Sequence, residues 1–125
     1  EISDFVTLHV PETEQTINMI QNDQIKKMKK GSYLINLSRG SVVNLNDVRE
    51  NILSNHLAGG AFDVFPNEPK KNGNQWSCVL QNLNNVILTP HIGGSTQEAQ
   101  KNIALDVGNK IVDYLKTGNK KFSLV

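Results

Sequence analysis

The chain has 125 residues, enough for one compact domain with a core of its own. Its 13 Lys and Arg nearly balance 12 Asp and Glu, so there is no broad basic field for nucleic acid or an anionic membrane, and no apolar run approaches the roughly 20 residues of a membrane span. A single cysteine, Cys78, excludes an internal disulfide and suits a reducing, cytoplasmic setting, and the three histidines lack zinc-type spacing.

The elements alternate between strand and helix. DFVTLHV (4–10) is short, apolar and rich in β-branched residues, and predicts a first strand. NDQIKKMKKG (22–31) predicts a short helix capped by Asn22, with Ile25 and Met28 on one face and Gly31 as its stop. SYLINLS (32–38) is a second strand. LNDVRENILSN (45–55) is a helix whose apolar face is Leu45, Val48, Ile52 and Leu53. LAGGAFDVF (57–65) is a third strand. The polar stretch 66–83, with Pro66, Pro69 and Gly73, predicts a long surface loop of the kind that is usually functional or disordered. NVILTP (85–90) is a fourth strand. A long helix closes the chain at 95–118. Ser95 and Glu98 form its capping box, Ile103, Val107, Ile111 and Leu115 line one face, and Gly118 ends it.

Continuous apolar strands separated by helices imply an α/β fold with a parallel sheet covered on both faces. Ligands of such sheets bind beyond the carboxyl ends of the strands. The first strand is followed by His9, Val10 and Pro11, and the second by Ser38, Arg39, Gly40 and Ser41. The third runs through Asp63 to Asn67, Glu68 and Pro69, and the fourth reaches Pro90, His91, Gly93 and Gly94. Singly, Arg39 reads as a solvated charge, Asp63 as a loop cap, Glu68 as a turn residue and His91 as a structural histidine. Jointly, a cation, two carboxylates and an imidazole on one sheet edge resemble an active site. Trp76 and Cys78 carry no assigned chemistry, and His56 sits in a polar helix-to-strand loop.

Four blocks, LHVPETEQT, LINLSRGSVVN, LAGGAFDVFPNEP and NVILTPHIGGSTQEAQ, resemble in order and spacing those of the D-isomer-specific 2-hydroxyacid dehydrogenases. Within that family they are most similar to the branch acting on D-3-phosphoglycerate. The resemblance implies a Rossmann-type NAD-binding domain and oxidation of a 2-hydroxy acid. It implies catalytic roles for three residues. Arg39 grips the substrate carboxylate and 2-oxo group, Glu68 pairs with the catalytic histidine, and His91 is the general acid/base. It also implies cofactor contacts from His9, Val10, Pro11, Leu37, Ser38, Arg39, Asp63, His91, Gly93 and Gly94, with NAD as cofactor and no metal. Bidentate capture of a carboxylate suits Arg better than Lys, and an imidazole exchanges protons near neutral pH.

The G-x-G-x-x-G fingerprint of the first βαβ unit does not occur in this chain, nor does the acidic residue expected about 20 positions after it. The expectation is therefore a fragment, residues 1–125 being the C-terminal half of a cofactor domain with its exit helix and without the substrate domain. The expected intact protein is a homo-oligomer acting on a small, phosphorylated 2-hydroxy acid, with no nucleic-acid or membrane partner. Two alternatives stay open: a D-lactate or glyoxylate reductase type, and a non-catalytic NAD-sensing corepressor relative.

Overall fold

A computed structural model describes residues 1–69 and 76–121. It contains β1 (Phe5–Leu8), α1 (Asn22–Lys27), β2 (Ser32–Asn36), α2 (Leu45–Leu53), β3 (Leu57–Phe62), β4 (Val86–Leu88) and α3 (Gln97–Thr117). A single 3-10 turn, Gly40–Val42, precedes α2. The chain divides into two compact units, Glu1–Pro90 and His91–Val125.

In the first unit the four strands form one parallel sheet in the order β1-β2-β3-β4. Every strand is shorter than its apolar run, because pairing stops where the polar loops begin. Leu34 in β2 and Leu8 and Phe62, both in register with Asn36, are buried with Ile25 of α1 and Val48 and Ile52 of α2. Each such large apolar side chain contributes about 1.5–3 kcal/mol by leaving water. The opposite face is not covered by these helices. Phe5 is 62% and Ile87 65% exposed, and Phe5 stacks on Tyr33 with ring centroids 5.1 Å apart. Within this unit both helices lie on one face, for a topological reason. Strands laid down sequentially in one direction through right-handed crossovers place their helices on the same side.

Several local expectations shift. The N-cap of α1 is Gln21, whose backbone N–H donates to the Gln24 side chain at 3.2 Å, while Asn22 donates its N–H to Asp47. In α2, Leu53 points outward at 50% exposure and Asn51 is buried in its place. Asn51 tolerates that position because its amide donates to the Asn22 side chain and to the Asp47 carbonyl. The 66–83 loop is not wholly superficial. Leu80 is fully buried, and Trp76 meets Phe65 edge-on at 4.6 Å and donates to the Asn67 carbonyl. Residues 70–75 of that loop lie outside the described residues.

The second unit is α3 with its leading turn. The cap is Thr96 rather than Ser95, its hydroxyl accepting the Ala99 N–H at 3.1 Å. Gly118, at φ 68°, ends the helix as expected. No residue of α3 is buried, and Leu115 is 75% exposed. Among the described residues no helix is long and apolar enough to cross a membrane.

Candidate active site

The carboxyl ends of all four strands lie on one edge of the parallel sheet, and hydrogen bonds tie their loops together. Glu12, in the loop after β1, accepts the Ser41 hydroxyl of the loop after β2. The Asn18 N–H donates to the Ser41 carbonyl at 2.8 Å. The β2 and β3 ends are joined by the Asp63 N–H, which donates to the Asn36 carbonyl at 3.1 Å. The β3 and β4 ends are joined twice, through the Thr89 N–H to Phe62 O at 3.0 Å and the Thr89 hydroxyl to Asp63 Oδ1 at 2.5 Å.

Arg39 sits in the turn after β2, exposed, with Nη1 donating to the Ser38 carbonyl at 2.7 Å. Gly40 follows it, buried. A Cβ built there would lie 2.0 Å from the Phe65 carbonyl carbon and 2.5 Å from Pro66 N. Only glycine lets the Arg39 turn pack directly on the backbone that leads to Glu68. Glu68 shapes its own turn by accepting the Phe65 N–H on Oε1 at 2.9 Å. Trp76, against Phe65, braces the same turn. Arg39, Asp63 and Glu68 are thus carried on loops in backbone contact.

The remaining expected contacts divide between the units. His9 is exposed and shares a hydrogen bond with Thr7 at 3.0 Å, Val10 packs against the core, and the Pro11 carbonyl accepts the Thr16 hydroxyl. Leu37 is 54% exposed beside the buried Ser38. His91 opens the second unit at φ 52°. Three of the four non-glycine residues described with positive φ are Asn and the fourth is His91, residue types that adopt this conformation more readily than most. Neither Gly93 nor Gly94 has positive φ, and among the described residues a Cβ on either would meet nothing within 4 Å beyond its chain neighbours. A cleft of about 330 Å³, lined by Asn44, Phe65, Pro66, Trp76, Cys78 and Val79 among others, holds none of the candidate residues. Among the described residues no cluster of His, Cys, Asp or Glu fits a metal ion.

The profile of the family described as "D-isomer specific 2-hydroxyacid dehydrogenase, NAD binding domain" matches residues 1–93. The chain belongs to this family. NAD is the cofactor of the matched domain. The chain is 52% identical over 118 residues to D-3-phosphoglycerate dehydrogenase of Dictyostelium discoideum and 51% identical to that of Escherichia coli K12, in each case over 94% of this chain. It spans 29% of the length of both relatives. Among solved structures, the NAD complex of a D-isomer specific 2-hydroxyacid dehydrogenase from Lactobacillus delbrueckii ssp. bulgaricus superposes with a TM-score of 0.74 at 28% identity. That match covers 94% of this chain and 38% of the other. The parallel sheet and its long closing helix are therefore those of a Rossmann-type dehydrogenase, as the sequence implied.

At this edge Leu37 is exposed, Val10 is partly buried against the core and the Asp63 carboxylate is half-buried. Sequence reasoning missed two residues at this edge. One is Asn36, a fully buried polar side chain ending β2 between the buried Ser32 and Ser38, visible only as an interruption of the apolar run. The other is Thr89, which holds Asp63.

Proposed function

We propose that this chain is the C-terminal half of the cofactor domain of a longer NAD-dependent dehydrogenase that oxidises D-3-phosphoglycerate to 3-phosphohydroxypyruvate, the entry to L-serine. The observation that carries the reading is the bracing of the Arg39, Asp63 and Glu68 loops into one strand-end edge. The names of relatives at 51–52% identity support the choice of substrate.

In this reading the Arg39 guanidinium takes the substrate carboxylate as a planar fork and holds the C2 oxygen in reach. His91 accepts the C2 hydroxyl proton on an imidazole nitrogen during oxidation and returns it during reduction. Glu68 orients that imidazole. Asp63, kept in place by Thr89, anchors the cofactor's carboxamide. Bound NAD supplies the acceptor for the hydride leaving C2. The intact protein is a cytoplasmic homo-oligomer with a phosphorylated small-molecule substrate.

The test is NADH formation by the purified full-length protein with D-3-phosphoglycerate, D-lactate and glycolate, with the 125-residue chain alone as control. The expected result is the highest kcat/KM for D-3-phosphoglycerate and no turnover by the chain alone. Equal or better use of D-lactate overturns the substrate. Absence of turnover with all three overturns the enzyme and favours a sensing protein.

A further inference from the structure

Asn36 is completely buried at the end of β2, so it cannot touch a substrate, yet its side chain is fully engaged with the turn that carries Arg39. Its Oδ1 accepts both the Ser38 N–H, at 3.0 Å, and the Ser38 hydroxyl, at 2.8 Å. Its Nδ2 donates to the Arg39 carbonyl at 2.9 Å. The partners fix the amide's orientation, since a backbone N–H can only donate and a carbonyl can only accept. The Asn36 backbone carbonyl receives the Asp63 N–H. One buried residue therefore holds the turn on both sides of the Arg39 peptide and links it to the neighbouring strand end.

We propose that Asn36 is a positioning residue for Arg39, setting where the guanidinium meets the substrate carboxylate. The proposal rests on the role given to Arg39 above. No other side chain of comparable size supplies the same pattern. Asp keeps the two acceptor bonds but, once ionised, faces the Arg39 carbonyl with an oxygen and buries a charge. Leu or Ala leaves the Ser38 N–H and hydroxyl without this acceptor.

The experiment uses the full-length enzyme, with kcat and KM for the hydroxy acid measured for wild type, Asn36→Asp, Arg39→Ala and the double variant. Asn36→Asp is expected to raise KM and lower kcat/KM by about 10²-fold, the usual cost of an ångström-scale misplacement. In the Arg39→Ala background the same change is expected to do little. A merely structural Asn36 lowers the folded fraction and the same proportion of activity in both backgrounds, with KM unmoved, and that result overturns the proposal. If Arg39→Ala itself is harmless, the functional reading falls and this one with it. If Arg39→Ala is severe and Asn36→Asp silent, only the positioning role falls. Should Asn36→Asp not fold, Ser38→Ala deletes one of the three bonds, and KM is expected to rise by about 2–10-fold, the range of a single hydrogen bond. An unchanged KM in that variant overturns the proposal.

Discussion

In the full-length protein, His91→Asn is expected to lower kcat/KM by about 10²–10⁴-fold in both directions, the range for proton transfer by a placed side chain. On the proposed mechanism the hydroxyl proton leaves as the hydride leaves, so loss of its acceptor slows oxidation and loss of its donor slows reduction. Asn is a suitable probe because His91 has φ 52°, a conformation that Asn accepts more readily than most residues. The backbone turn should survive and stability should hold or rise slightly. Steady-state kinetics in both directions, with a thermal unfolding control, check this. A variant within a few-fold of wild type in either direction would remove His91 from the chemistry.

Gly40→Ala is expected to be costly in a different way. The added methyl has no flexible side chain to displace. Its nearest neighbours are the Phe65 carbonyl carbon at 2.0 Å, the Phe65 oxygen at 2.3 Å and Pro66 N at 2.5 Å, all backbone. Either the Arg39 turn or the turn leading to Glu68 must retreat by about 1 Å. The expected loss is about 3 kcal/mol of stability, at the upper end of overpacking costs. Molecules that still fold should lose about 10²-fold in kcat/KM, because the two charged groups are moved apart. Denaturant unfolding and kinetics on the same preparation separate the two effects. Wild-type stability together with wild-type activity would mean that the two turns are not packed as described.

The order of elements was legible because apolar runs and amphipathic stretches alternate along the chain, and the candidate site because polar residues, Pro or Gly follow each run. Strand ends were less legible, since His9, Leu37 and Ser38 extend the sequence pattern of their strands while the pairing stops at Leu8 and Asn36. Ser95 and Thr96 are both good caps, so the one-residue shift of the α3 cap lies within what composition can resolve. Burial of Asn51 in place of Leu53 depends on hydrogen-bond partners at Asn22 and Asp47, one of them in another helix. The bracing of Arg39 by Asn36, and of Glu68 through Gly40 and Phe65, is tertiary. Neither leaves a periodic signal in the chain.

Arg39, Asp63 and Glu68 lie in the first unit and His91 opens the second, and the proposed reaction calls on residues of both. The most direct test is a double-mutant cycle on kcat/KM in the full-length enzyme, with Glu68→Ala, His91→Asn and both together. Groups that act as a unit are strongly non-additive. Glu68→Ala is expected to be damaging in the wild-type background and to cost little further once His91 is gone. Losses that multiply fully in the double variant would contradict it, because Glu68 would then act without His91.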